Sequence, residues 1–226
     1  MIISSIPLTG NKRKLWSQIE PLLPEGKVFI DMFIGGGTIA LNATKSPDPH
    51  LRRRQIENAL CTVIGSEVVE PLVELHLAYK NDRKFIDKVT KLNEHYPSTK
   101  AGFLQLRKDY NVEPSPAKLQ CLVVRSNSNM MRWNSKGEYN MTYGERNYYN
   151  LPRMQEHSEV CKDIQIVSGG WQSLFGDKSP LPCLPAKDYV FYSDCPYTNS
   201  NAVYNESGGW TDKDDVELLA ELLRLQ

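Results

Sequence analysis

A run of glycines directly after a short apolar segment constrains the fold of this chain most. Lys27–Asp31 is apolar at its centre, Gly35-Gly36-Gly37 follows it, and a helical pattern opens near Ile39. Glycines in this position allow close approach of the backbone to a nucleotide-like ligand, and a helix N-terminus favours a carboxylate or phosphate. The loop is neither Gly-x-Gly-x-x-Gly nor a Lys-Ser/Thr phosphate loop, so a simple tight turn remains the alternative.

The order of the remaining elements predicts an α/β fold with a parallel sheet. Further apolar runs predict strands, and helices are predicted between and after them. The predicted strands after the first are Cys61–Gly65, Asp163–Ser168 and Asp188–Tyr192, and the predicted helices include Pro71–Tyr79 and one starting near Thr211. Alternating strands and helices indicate a doubly wound parallel sheet. Between about 80 and 160 the sequence becomes charged and then polar and aromatic, which predicts an insertion.

Composition excludes several classes of protein. The 27 basic and 27 acidic residues cancel, so binding to nucleic acid would depend on local clustering of charge. The five cysteines are widely spaced without a Cys-x-x-Cys pair, which argues against a disulfide scaffold or a metal site. No stretch has the roughly 18 apolar residues of a membrane span. We therefore expect a cytoplasmic protein with reduced thiols, no bound metal and no membrane partner.

Acidic residues at predicted strand ends are the first candidates for chemistry. Asp31 precedes the glycine loop, and Glu67 follows the second strand, where nucleotide-binding α/β folds place an acid for ribose hydroxyls. Asp194-Cys195-Pro196-Tyr197 follows the last predicted strand. A carboxylate and a backbone carbonyl there could accept the two hydrogens of an exocyclic amine, with Tyr197 stacked on a flipped base. A packing loop is the alternative interpretation.

The segment Ser128–Arg146 is a candidate nucleic-acid surface. Its sequence, SNMMRWNSKGEYNMTYGER, interleaves Arg, Asn and Lys with aromatic residues, and Asn134–Gly137 predicts a hairpin turn. Arg and Asn read base edges with paired hydrogen bonds, while Lys and Arg contact phosphates. An exposed β-hairpin with ordinary polar residues is the alternative.

Together these blocks resemble the Dam family of DNA adenine-N6 methyltransferases, found in enterobacteria and their phages. Thr9–Lys12 is similar to the family's opening cofactor motif, Asp31–Asn42 to its glycine-loop motif, and Asp194–Tyr197 to its catalytic Asp-Pro-Pro-Tyr. Ser128–Arg146 is similar to its DNA-reading hairpin nearly position for position. The resemblance implies an S-adenosylmethionine-dependent enzyme that methylates adenine N6 in double-stranded DNA, usually at GATC.

The resemblance also implies roles for individual residues. Those implied to contact S-adenosylmethionine are Lys12, Asp31, Gly35, Gly37, Glu67 and Asp194. Those implied to hold the target adenine are Asp194, Cys195, Pro196 and Tyr197. Those implied to contact DNA are Arg132, Asn134, Lys136 and Arg146, with the two arginines as base readers and Lys136 on the backbone. The implied domains are a catalytic Rossmann-like domain (1–74 and 161–226) and a mostly helical target-recognition domain with a β-hairpin (75–160).

Several departures from the family pattern leave alternatives open. Cys195 replaces the first Pro of the catalytic motif, Leu8 replaces an aromatic residue, and Lys45–Leu60 contains extra residues with a basic run. The family continues with another strand and a hairpin, so we expect the C-terminal strands to be missing. A degenerate relative that binds DNA or cofactor without turnover remains possible, as does methylation of cytosine N4 or an RNA adenine. Oligomeric state and a phage or bacterial origin stay open.

Overall fold

The computed structural model describes residues 1–24, 26–44, 62–196 and 210–224, and its centre is a parallel sheet of four strands. The strands are β1 (Val28–Asp31), β2 (Thr62–Glu67), β3 (Ile164–Ser168) and β4 (Tyr189–Tyr192). Their order across the sheet is β3-β2-β1-β4. The predicted α/β class and parallel sheet are confirmed. β2 continues to Glu67, past the predicted end at Gly65, so Glu67 is the last strand residue.

Helices cover the sheet and build the region between β2 and β3. They are α1 (Trp16–Ile19), α2 (Thr38–Thr44), α3 (Glu70–Asn81), α4 (Phe85–His95), α5 (Lys100–Val112), α6 (Pro116–Val123), α7 (Leu151–Cys161) and α8 (Asp212–Arg224). Short 3-10 helices occur at Glu20–Leu22, Asn127–Asn129, Trp171–Leu174 and Ala186–Asp188. The predicted start of the last helix is confirmed, because the Thr211 hydroxyl donates to Asp214 and the Asp214 N–H returns to it at 3.4 Å.

Side chains alternate between the two faces of the sheet, as the period of a strand requires. Phe29 and Val63 are fully buried on the face that packs with α2 and α3. Ile30 and Ile64 are fully buried on the opposite face, with Leu218 of α8. Because both faces are covered, the strands read as nearly continuous apolar runs in the sequence.

The helical region packs onto the sheet without a separate core. Helix α3 packs against α6, α7 and β3, and α7 also contacts α2. One apolar cluster contains Phe29 of β1 together with Phe103 of α5 and Tyr139 from the segment that follows α6. The expected boundary between residues 74 and 75 falls inside α3. The inserted region therefore shares its core with the sheet.

The expected β-hairpin has a turn but no regular strands. Gly137 N–H donates to the Asn134 carbonyl at 2.9 Å, which confirms the predicted turn. The chain on either side forms only isolated antiparallel bridges, Trp133 with Tyr139 and Ser126 with Tyr143. Consecutive residues Ser128 and Asn129, between the two bridged residues Ser126 and Trp133, have φ of 55° and 52°, in the left-handed region. The expected hairpin is therefore present as a turn with flanking antiparallel hydrogen bonds, Asn134 N–H to Glu138 O and Asn140 N–H to Arg132 O, but without regular strands.

The structure bears on two remaining expectations, the basic run and the membrane, in different ways. The basic run Arg52–Arg54 lies outside the described residues. Across the described part of the chain, every helix is too short or too polar to cross a bilayer.

Candidate active site at the carboxyl edge of the sheet

Three carboxylates lie at the carboxyl ends of three neighbouring strands. β1 is flanked by β2 and β4, so the chain order reverses at β1, where ligands of open α/β sheets bind. Asp31 is in register with Gly65 of β2 and Tyr192 of β4. Glu67 and Asp194 each follow these partners by two residues. The two acids therefore stand beyond Asp31 on either side of it.

Asp31 is buried yet incompletely bonded. Its side chain is 1% exposed, and Oδ1 has no hydrogen-bond partner among the described residues. Burial raises the pKa of Asp31 to about 7; the backbone N–H groups of Phe33 and Ala40 oppose this shift, and the charges of Asp194 and Glu67 add to it. A buried oxygen without a donor is costly, so it indicates a position for a cationic or hydrogen-bonding ligand group.

Glu67 is held against the glycine loop. Its Oε2 accepts the Gly35 N–H at 3.2 Å, and its Oε1 accepts the N–H groups of Val68 and Val69, both at 3.0 Å. Burial raises the pKa of Glu67, while these three N–H groups lower it. A carboxylate fixed by backbone donors is preorganised, so it can accept further bonds from hydroxyls at little entropic cost.

Asp194 forms an ion pair with Lys12 from the N-terminal segment. The two side chains are 24% and 19% exposed, so the pair opens to the edge of the site. Lys12 Nζ also donates to the Gly10 carbonyl at 3.0 Å, and the Thr9 hydroxyl donates to the Ser128 carbonyl. The structure therefore brings the Thr9–Lys12 segment into contact with both Asp194 and the start of the polar segment.

Cys195 and Pro196 follow Asp194 at the same edge. Cys195 is half-buried with a free thiol, and burial raises its pKa, so the thiol stays protonated at neutral pH. Pro196 is also half-buried. Tyr197 lies outside the described residues.

The glycine loop needs its glycines for two different reasons. Gly35 and Gly37 have φ of 47° and 78°, a conformation that side chains disfavour. Gly36 lies against the N-terminal segment, where a Cβ would stand 2.5 Å from the Ile6 carbonyl oxygen. Leu8 is buried in the same apolar cluster as Ile6, and its Cβ lies 3.8 Å from the position of a Cβ at Gly36.

Comparison with known proteins assigns the sequence to a family. The sequence profile for the D12 class N6 adenine-specific DNA methyltransferase matches residues 9–225. The chain belongs to this family. The family normally uses S-adenosylmethionine, and its substrate is DNA.

Individual relatives are more distant. The chain is 25% identical over 232 residues to the type II methyltransferase M.FokI of Planomicrobium okeanokoites, covering 96% of this chain and 33% of that protein. It is 22% identical over 235 residues to modification methylase LlaI of Lactococcus lactis subsp. lactis, covering 98% and 35%. It is 26% identical over 187 residues to the type II methyltransferase M.MjaIII of Methanocaldococcus jannaschii, covering 70% and 61%. The chain spans about a third of the length of the first two relatives.

In the polar segment of this D12-class chain, the residues expected to contact DNA differ in their exposure to solvent. Arg132 is half-buried, and its Nε donates to Asn140 Oδ1 at 2.8 Å. Arg146 and Lys136 are exposed, and Arg146 Nη1 donates to the Tyr148 hydroxyl at 3.1 Å. The Tyr148 hydroxyl raises the pKa of Arg146, so its guanidinium stays charged.

Asn134 serves the turn itself. Its Oδ1 accepts the N–H groups of Lys136 and Glu138 at 2.9 and 3.0 Å, and its Nδ2 donates to Glu138 Oε2 at 2.8 Å. Asn side chains commonly bond to backbone two residues on in turns. Because Oδ1 already accepts two N–H groups of the turn, paired hydrogen bonds from the Asn134 amide to a base edge would require the turn to open.

A buried cluster beneath the glycine loop was not foreseen from the sequence. His76, His157 and Cys161 place possible ligand atoms within 4.8 Å of one another. The backbone N–H of Ser5 donates to His157 Nδ1 at 3.1 Å, so the neutral ring carries its proton on Nε2. Both nitrogens of His157 are then occupied, by the Ser5 bond and by a proton, which disfavours a metal. His157 and Cys161 lie one turn apart on α7, but His76 is far from them in sequence, so no local motif marks the cluster.

Proposed function

We propose that this chain transfers a methyl group from S-adenosylmethionine to N6 of adenine in duplex DNA, at a short site for which GATC is the first candidate. The observation that carries the proposal is the convergence of Asp31, Glu67 and the Lys12–Asp194 pair at the switch point of the sheet. The D12 family match supports the chemistry, and two relatives carry the name type II methyltransferase.

The donor set at this edge fits S-adenosylmethionine. The cofactor is cationic at its sulfonium and its amino group, and three carboxylates face the site. Asp31, with an unpartnered buried oxygen, would bind the amino group. Glu67 would bind the ribose hydroxyls, and Gly35 and Gly37 would border the adenosine. When bound, S-adenosylmethionine supplies an electrophilic methyl group.

Asp194 would orient the attacking amine. Its carboxylate and the Cys195 carbonyl accept the two N6 hydrogens, so the nitrogen lone pair becomes available to the methyl carbon. The N–C bond forms as the S–C bond breaks, and the N6 proton leaves toward Asp194 or solvent. Lys12 would hold the Asp194 carboxylate in place through their ion pair before the base arrives. Pro196 and Tyr197 would shape the pocket of a base turned out of the duplex.

The polar segment would supply DNA recognition. Arg132 and Arg146 would read base edges, Lys136 would contact phosphate, and Asn134 would hold the turn and meet the DNA beside it. We further propose that residues 75–160 are the recognition part and that 1–74 and 161–226 are the catalytic part.

Methyl transfer to defined duplexes tests the proposal. Labelled S-adenosylmethionine is incubated with a GATC duplex and with a scrambled duplex of equal composition. Label in the GATC duplex alone is expected. Equal label in both would overturn the site assignment, and cofactor binding without label in either would favour a non-catalytic relative.

A further inference from the structure

The carbonyl of Gly35 is held by a buried histidine. His76 of α3 is 1% exposed, and its Nε2 lies 2.7 Å from the Gly35 carbonyl oxygen. Gly35 also donates its N–H to Glu67 Oε2. One residue of the loop is therefore clamped on both sides, at its N–H by Glu67 and at its C=O by His76.

The geometry fixes the protonation of His76. A carbonyl oxygen only accepts, so Nε2 must carry the proton and Nδ1 is bare. Burial lowers the pKa of His76 to about 4, and the Gly35 carbonyl opposes this shift. The ring packs against Gly37, where a Cβ would stand 3.1 Å from His76 Cε1. His76 thus contacts both glycines that have positive φ in this loop.

The second histidine holds the other side of the loop through the N-terminal segment. His157 is fully buried, stacks on Tyr79 at 4.2 Å between ring centroids, and accepts the Ser5 N–H. The neighbouring Ser4 hydroxyl donates to the Gly36 carbonyl. The loop is therefore pinned at Gly35 from α3 and at Gly36 from Ser4.

We propose that His76 is a positioning residue for the cofactor site, whose Nε2–H donated to Gly35 O sets the shape of the glycine loop against Glu67. The proposal rests on the proposed function, because it takes the loop to border S-adenosylmethionine. His76 does not touch the reacting atoms. Its loss leaves the Gly35 carbonyl without this donor and lets the loop relax away from Glu67.

Three variants separate positioning from general stability. His76→Phe keeps a ring but removes the donor, and His76→Gln restores an N–H donor. Leu75→Val, at a fully buried neighbour on α3, removes apolar volume but leaves the hydrogen bonds to the loop in place. We expect His76→Phe to raise the S-adenosylmethionine Kd roughly tenfold. The expected Kd stays within about twofold of wild type for His76→Gln, and DNA affinity stays unchanged in all three variants.

Two further measurements, steady-state kinetics and the tautomer of His76, complete the test. The KM for S-adenosylmethionine should rise in His76→Phe while kcat at saturating cofactor changes little. Two-bond ¹⁵N–¹H correlation spectra of the ligand-free protein should show His76 as the Nε2–H tautomer.

The outcomes separate the two proposals. Wild-type affinity in His76→Phe, an equal loss of affinity in Leu75→Val, or an Nδ1–H tautomer would overturn the role of His76 alone. A wild-type protein that binds no S-adenosylmethionine would overturn the proposed function together with it.

Discussion

At the scale of single residues, the site is built on acids whose surroundings differ. Asp31 is buried with an unpartnered oxygen, Glu67 is bonded by three backbone N–H groups, and Asp194 is paired with Lys12 at the open edge. Environment therefore assigns these carboxylates different tasks although all three end neighbouring strands. Asp31 suits a buried cationic group, and Asp194 suits an amine that arrives from solvent.

Asp194→Asn tests the catalytic assignment. We expect methyl transfer to fall by at least about 10²–10³-fold, because a preorganised acceptor of the amine hydrogens is lost. S-adenosylmethionine and DNA affinities should change far less. Asp188→Asn is the matched control: Asp188 directly precedes the other end of β4 and pairs with Lys27 at 2.9 Å. If the control loses as much activity as Asp194→Asn, the assignment fails.

Asp31 predicts a pH dependence of stability. Its folded pKa of about 7 exceeds the ordinary 3.8, so the folded protein binds more protons than the unfolded chain between these values. Stability should therefore fall as pH rises through this window and level off above it. Asp31→Asn lacks this titrating group. The free energy of unfolding of the variant relative to that of wild type should therefore increase by about 2–3 kcal/mol between pH 5 and pH 8.

Urea unfolding at both pH values measures this difference. Parallel pH profiles for the two proteins would show that the Asp31 pKa is not raised. Binding of the cationic cofactor should also release a proton near pH 7, which calorimetry in buffers of different ionisation enthalpy would detect.

At the scale of elements, the structure of the glycine loop could be predicted from the sequence more fully than that of the polar segment. β1 and its loop were predictable because buried strands and glycine loops are local patterns. The polar segment had a predictable turn, but the positive φ of Ser128 and Asn129 could not be predicted from residue type. The contacts of Asn134 within its own turn also depend on local geometry that residue type alone does not give.

Gly36→Ala tests the packing of the loop on the N-terminal segment. Its Cβ would stand 2.5 Å from the Ile6 carbonyl oxygen, so backbone must move. We expect a lower Tm and weaker S-adenosylmethionine binding. Gly137→Ala meets no atom within 4 Å but has φ of 75°, so it should cost about 1 kcal/mol and leave cofactor affinity intact. Equal cofactor affinities in the two variants would contradict this account of the loop.

The two arginines of the polar segment predict a DNA-binding pattern. Arg132→Gln and Arg146→Gln should weaken binding to the preferred site by about 1–3 kcal/mol and reduce discrimination against a changed base pair. Arg153→Gln, at a partly exposed position near the start of α7, is the control and should leave discrimination intact. Competition between the preferred duplex and a duplex with one changed base pair, at fixed salt concentration, measures this discrimination. Undiminished discrimination in both variants would remove the arginines as base readers.

At the scale of the whole molecule, the parallel sheet brings together residues that are distant in sequence. Lys12, Asp31, Glu67 and Asp194 could be named from the sequence because each sits in a motif or at a strand end. His76 and His157 could not, because they converge only once α3 and α7 pack over the glycine loop. Tertiary convergence without a local motif is what sequence patterns do not encode.

Methylation of adenine N6 is the reaction proposed for this D12-class chain. The most direct measurement incubates the protein with unmethylated DNA and labelled S-adenosylmethionine, digests the DNA to nucleosides and separates them. Label is expected in N6-methyl-2′-deoxyadenosine for wild type and for Asp188→Asn, and almost none for Asp194→Asn. Label in a methylated cytosine, or no label in any nucleoside, would contradict it.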